Sequence, residues 1–214
     1  MKIFKEKVLF ITIFLPIIFI FLAVEILCTK EYLLISKGKY IEHESITFDY
    51  DYVADRMMGY LNYRYKEMDL IYDDELIEVK ELEERHMKDV LNLFTALRIV
   101  SAIGIILTLI NVICLKKNNP KLLYKAVKNV WIWPSCLILF VGTFAIIDFN
   151  LLFTIFHRIF FSNNDWLFPM ESMIIQVVPE NFWLVSALLI LLFLALASLI
   201  SFFLGRHKLK KEYN

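Results

Sequence analysis

Apolar side chains run along this chain in four long blocks, Val8–Cys28, Leu91–Leu115, Asn129–Phe156 and Asn181–Leu204. Each reaches the ~20 helical residues that cross the hydrocarbon core of a bilayer, and the third is longer than a crossing needs. Between the first two blocks the pattern changes. Over Asp51–Tyr65, Val53, Met57, Tyr60 and Leu61 recur at three- and four-residue intervals, which predicts a helix. Lys39–Tyr50 and Leu70–Val79 keep no clear period and leave short strands open. From Lys80 the helical period returns and runs into the second block without a Pro or Gly. The 62 residues of 29–90 exceed a plain connector and predict a small cap.

Composition supports this picture. Of 214 residues, 59% are hydrophobic and 15% aromatic, and only five Gly and five Pro interrupt them. Mean hydropathy is +0.60. That balance excludes an ordinary soluble domain and fits a small membrane protein. The first block has the basic start and apolar core of a signal peptide. Its length and the lack of a small-x-small site favour a retained helix. Cys28 is no lipobox cysteine, because Leu27 stands where a small residue is required. Cys28, Cys114 and Cys136 have neither metal nor disulfide spacing and are expected as buried thiols.

The net charge of zero hides a regional bias that orients the chain. Lys2, Lys5 and Lys7 precede the first block. Lys116, Lys117, Lys121, Lys125 and Lys128 fill 116–128 without an acid, and Arg206, Lys208, Lys210 and Lys211 fill the 205–214 tail. Residues 29–90 carry nine basic and sixteen acidic side chains, and 157–180 carry one and three. The positive-inside rule then puts both termini in the cytoplasm and the cap and the 157–180 loop outside. Trp131 and Trp133 would mark the inner interface, Trp166 and Trp183 the outer one. The expected fold class is mainly α, a four-transmembrane-helix bundle with a small extracytoplasmic cap, short strands within the cap being the open detail.

Three ionisable residues fall inside the expected spans: Glu25, Arg98 and Asp148. Such charges are costly in hydrocarbon and usually pair. All three lie within ~12 Å of the outer surface at ~1.5 Å per residue. Arg98 is expected to pair with Asp148, Glu25 or both, either as a stabilising ion pair or as the polar floor of a cavity opening outward.

Of four histidines, His43, His86, His157 and His207, two stand at outer helix ends. His86 precedes the second block by one to two turns, with Glu83 and Asp89 at minus three and plus three, either of which can orient its ring. Asn150, Thr154 and His157 share a helical face, bordered by Arg158, and the polar, turn-rich Ser162–Trp166 follows. An interfacial histidine is commonly only a polar cap. Two on one side, with neighbouring charges, point equally to proton transfer. No GxSxG, SxxK, HExxH or phosphate-cradling glycine loop occurs, so serine-nucleophile and zinc-hydrolase readings lack support. The lysines read as topogenic, and no nucleic-acid site is expected.

Glu84–Val90 (ERHMKDV) leading into a span, Phe156–Pro169 (FHRIFFSNNDWLFP) and Ile174–Trp183 (IIQVVPENFW) before a last span resemble the bacterial lipoprotein intramolecular transacylases, the Lit family. Length and four-span layout agree over essentially the whole chain. The resemblance implies transfer of the sn-2 acyl chain of a diacylglyceryl-cysteine lipoprotein onto that cysteine's α-amino group, giving a lyso-form lipoprotein. It also implies His86 and His157 as the catalytic pair. Arg158, Asn164 and Tyr63 are candidates to hold the oxyanion. No cofactor, metal or nucleotide is expected; the partners are diacylated bacterial lipoproteins and membrane lipid, and the expected state is a monomer in the bacterial cell membrane. The alternatives are a non-enzymatic sensor or binding protein with an acidic outer cap, and a phospholipase-like enzyme using the same histidines. Which histidine is base and which acid stays open, with His157 preferred as base, as does a covalent acyl-imidazole route.

Overall fold

A computed structural model describes residues 2–40, 48–72, 75–77 and 79–213. The elements, in chain order, are α1 (Lys2–Leu27), α2 (Lys30–Tyr40), α3 (Tyr50–Leu61), β1 (Leu70–Tyr72), β2 (Glu75–Ile77), α4 (Glu81–Asn118), α5 (Pro120–Asn129), α6 (Ile132–Ile147), α7 (Phe149–Phe160), α8 (Met173–Val177) and α9 (Glu180–Tyr213). Four helical stretches are long and apolar enough to cross a membrane: Phe4–Leu27, Glu81–Asn118, Pro120–Ile147 and Glu180–Glu212. The chain folds as two compact units. One comprises Met1–Val24, Leu97–Ile147 and Leu188–Asn214; the other comprises Glu25–Ala96 and Asp148–Ala187.

The first unit turns its apolar surface outward. On α4, Ile99, Ile103, Ile106, Ile110 and Ile113 are all more than half exposed, as side chains bathed in lipid would be. Its interior gathers Ile11, Leu115, Leu123 and Ala126. Residues 116–128, expected as a connecting loop, are helical apart from Asn119: α4 runs to Asn118 and α5 starts at Pro120. Asn119 caps α5 by accepting from the Leu122 N–H at 3.3 Å, and Pro120 takes the first turn, where its missing N–H costs nothing. Leu123 and Ala126 of that helix point into the core. Gly205 is required by a close approach: a Cβ there would stand 2.4 Å from the backbone nitrogen of Lys128.

The second unit has a conventional buried core. Asp49 caps α3 by accepting from the N–H groups of Asp51 and Tyr52. Val53, Met57 and Leu61 then recur on one face and pack with Leu33, Leu70, Met87, Ile174, Val177 and Phe182. The Tyr50 hydroxyl donates to the Val177 carbonyl at 3.1 Å, joining α3 to α8. β1 and β2 pair antiparallel with Leu70 opposite Ile77, the short strands left open within the cap. His43 and most of Lys39–Tyr50 lie outside the described residues.

One expected element is divided. The block Asn129–Phe156 does not form a continuous helix. α6 ends at Ile147, Asp148 adopts a non-helical backbone (φ −155°, ψ 88°), and α7 starts afresh. An aspartate side chain can replace the helix's own bonds at such a point. The Asp148 carboxylate accepts from the Leu151 N–H at 2.9 Å. Asp148, expected as a charge inside a span, is thus the N-cap of α7, and it is exposed.

Candidate active site

α4 begins where Glu83 turns back on its own chain. One carboxylate oxygen accepts from the Lys80 N–H at 3.0 Å, a one-sided capping box. The other accepts from the Met173 N–H at 2.9 Å and from the Ser172 hydroxyl. Glu83 is 1% exposed, so three donors satisfy one buried carboxylate and tie the start of α4 to the start of α8. His86 follows one turn later on α4.

α7 brings the second histidine. Asp148 fixes where that helix starts, and nine residues on, His157 is its buried side chain. Its Nδ1 lies 2.8 Å from the Phe153 carbonyl. A carbonyl only accepts, so Nδ1 carries the proton and the Nε2 lone pair is left free. The two imidazoles meet with centroids 5.9 Å apart and planes inclined by 24°. His86 Nδ1 is buried and, among the described residues, has no hydrogen-bond partner. A buried ring nitrogen without a protein partner is uncommon.

Aromatic rings enclose the pair. Phe161 and Phe168 present their edges to His86 at 5.2 Å each. Trp166 lies 4.7 Å from His157, and Phe153 lies 4.0 Å from it. Trp166, expected as an interfacial anchor, is 9% exposed and forms part of this wall. His86 follows the acidic first turn of α4, and His157 lies in the last turn of α7. Burial, chiefly, pushes both below the ordinary imidazole range. His86 falls to about 4, with His157 beside it adding to the effect and Asp89 and Asp165 opposing it. For His157 the bond to Phe153 opposes burial. Both rings are therefore neutral at pH 7, the form that can accept a proton.

The loop after α7 sets the aromatic walls. The Asn163 side chain donates to Asp89 at 2.8 Å and accepts from the Asp165 N–H at 3.0 Å. Arg85 Nε donates to Asp165 at 2.9 Å, and the Trp166 indole N–H donates to the Asn163 carbonyl. The carboxylates expected to orient His86 are thus engaged elsewhere: Glu83 on α8 and Asp89 on the loop. The polar run Ser162–Trp166 was the sequence signal for this loop, but nothing in its spacing showed that α4 would hold it.

The remaining candidates differ in their surroundings. Arg158 and Asn164 are exposed. The Tyr63 hydroxyl is bonded to the Thr95 hydroxyl. Thr95 is nine residues along α4 from His86, or about 14 Å of helix rise. Glu25 lines a polar cleft of about 310 Å³ with Cys28, Lys30, Glu31, Asp55, Asn62 and Arg64, and neither histidine borders it. Arg98 belongs to the first unit, whereas Glu25 and Asp148 belong to the second.

A family model described as lipoprotein intramolecular transacylase Lit matches residues 8–183. The chain belongs to the Lit family. A solved structure of membrane-integral Lit from Bacillus cereus matches with a TM-score of 0.78 at 22% identity, covering 99% of this chain and 98% of that one. Two further structures of Bacillus cereus Lit, with a histidine replaced by arginine and by alanine, match at a TM-score of 0.67 and 23% identity. They cover 99% of this chain and 94% and 96% of theirs. At that identity the likeness shows a shared fold. No curated protein sequence matches. Family membership makes the chain an acyltransferase with a lipoprotein substrate. The membrane-integral Lit fold and four long apolar helices make it a membrane protein.

Proposed function

We propose that His86 and His157 carry the protons of an O-to-N acyl transfer within one diacylglyceryl-cysteine lipoprotein, at the extracytoplasmic face of a bacterial membrane. The observation that carries this reading is the facing pair: two buried imidazoles 5.9 Å apart, one with its tautomer fixed and Nε2 free. The α-amino nitrogen attacks the sn-2 ester carbonyl as a neutral amine. A C–N bond forms, the ester C–O bond breaks, and the amine's proton ends on the glyceryl oxygen. One imidazole accepts that proton and the other delivers one to the leaving oxygen. His157 fits the base best because the Phe153 carbonyl holds the proton on Nδ1. Amine and ester belong to one molecule, so a held near-attack geometry supplies much of the rate. The oxyanion donor is drawn from Arg158 and Asn164, near His157 in sequence. Tyr63 is set aside because Thr95 holds its hydroxyl. The balance of bonds asks for no metal or nucleotide, and the Bacillus cereus structures with a replaced histidine add weight to histidine chemistry.

The test is expression in a host whose lipoproteins are only diacylated, followed by mass analysis of their N-termini. N-acyl, S-monoacylglyceryl cysteine is expected from the natural chain and lost with His86→Ala or His157→Ala. Undiminished product from either variant refutes the assignment. No N-terminal change with the natural chain would favour a binding protein, and deacylated lipid would favour a phospholipase.

A further inference from the structure

The histidine pair is closed off. His86 is 6% exposed and His157 7%, yet a reacting ester must come within about 3 Å of a ring nitrogen. Much of what covers the rings comes from one loop: Trp166 lies tilted against His157 and Phe168 packs against His86. The loop holds together internally. Asn163 accepts from the Asp165 N–H, and its carbonyl accepts from the Trp166 indole. Its hold on α4 lies at the surface, through Arg85 to Asp165 and Asn163 to Asp89. Arg85 and Asp89 are four residues apart, on the α4 face that flanks His86. Exposed contacts of this kind are individually weak and can release without unfolding the core beneath them.

We propose that residues 162–168 form a lid on the histidine pair, latched to α4 by Arg85–Asp165 and Asp89–Asn163. This rests on the reading of His86 and His157 as the catalytic pair. The lid opens to admit the ester and closes during transfer. Closed, it seats Trp166 on His157 and excludes water, so the amine nitrogen attacks, the C–N bond forms and the glyceryl oxygen takes the proton. With the lid displaced, water adds to the same carbonyl. The ester C–O bond still breaks, and the products are a free fatty acid and a lipoprotein that keeps its free amine. The latch residues act as positioning residues that set the ratio of transfer to hydrolysis.

The experiment uses the full chain in detergent or nanodiscs with a diacylglyceryl-cysteine lipopeptide. Asn163→Ala with Asp165→Ala is expected to shift tryptophan emission to the red, and Trp166→Phe should remove that shift. The same pair should raise the ratio of free-amine, deacylated product to N-acyl product roughly tenfold, the effect of losing one to two net hydrogen bonds. Asp165→Glu should restore most of both signals. Asp165→Asn, isosteric and without the charge, carries the same test should the double replacement fail to fold. Unchanged emission and product ratio overturn the latch, as does lost activity with unmoved emission. Should His86→Ala and His157→Ala stay active, the catalytic reading fails, whatever the emission of the latch variants.

Discussion

Two polar regions of the second unit, the cleft around Asp55 and the pocket around His157, treat their ionisable groups in opposite ways. In the cleft the charges satisfy one another near solvent. Asp55 accepts from the Tyr65 hydroxyl at 2.8 Å and from Arg64 at 3.2 Å, with Lys30 at 3.8 Å. Those partners, the Tyr65 bond foremost, hold its carboxyl below the usual range. In the pocket the groups are buried, neutral and left with unspent capacity: Nε2 of His157 and Nδ1 of His86. A satisfied cluster near solvent is already at rest. A buried imidazole with a spare nitrogen has a bond still to make, and that separates the candidate site from the quieter cleft.

The contrast predicts very unequal responses to replacement. His157→Ala should cut turnover of a diacylglyceryl-cysteine lipopeptide by about a hundredfold or more, as loss of general acid–base catalysis does. Asp55→Asn, which removes a charge from the cleft, should leave turnover within about threefold, because exposed ion pairs contribute ~1 kcal/mol or less. Initial rates at saturating lipopeptide measure both. Equal losses in the two variants would break the distinction and make the cleft part of the catalytic apparatus.

Much of this arrangement could be read from the chain before any coordinates. Run length alone marks the long apolar helices. The unbroken period from Lys80 onward places His86 on the polar start of α4, as the structure has it. The break at Asp148 was hidden because hydropathy averages over Ile146–Leu151, and one capping carboxylate hardly moves that average. The aromatic walls were hidden for a different reason. Helical spacing orders side chains within an element, whereas Trp166 and Phe168 reach the histidines through a loop whose path depends on Arg85 and Asp89. Glu83 shows the same limit: three residues before His86 it is well spaced to orient the ring, but Ser172 and Met173 reach its carboxylate from α8.

Glu83 therefore sharpens the comparison from a third side, as a buried carboxyl group held by three donors. Glu83→Ala would strand the Lys80 and Met173 N–H groups and the Ser172 hydroxyl. Hydrogen bonds to a charged acceptor are worth about 1.5–3 kcal/mol each, and the site can relax in part, so a total loss of ~3 kcal/mol is expected. Glu83→Gln should cost roughly half as much. Its carbonyl can still accept from Ser172 and Met173, and only the amide group faces the Lys80 N–H. Thermal unfolding of the full chain in detergent, followed by circular dichroism, measures the order. A Glu83→Gln variant as unstable as Glu83→Ala would mean that the charge itself, rather than its acceptor geometry, holds α4 to α8.

The smallest effect is expected at Tyr63, a hydroxyl suited by type to an oxyanion hole. Its backbone lies in the left-handed region (φ 59°), reached as α3 ends, and its ring is more than half exposed. The hydroxyl is engaged by Thr95, which itself donates to the Leu91 carbonyl at 2.6 Å. Tyr63→Phe removes that one exposed bond, worth about 1 kcal/mol or less, and leaves the histidine pocket untouched. Turnover should stay within about threefold, with the acid-to-amine product ratio unchanged. A loss of tenfold or more in turnover at unchanged thermal stability would mean that Tyr63 leaves Thr95 during the reaction and stabilises the oxyanion. The boundary between the quiet and the reactive regions would then move two and a half turns along α4.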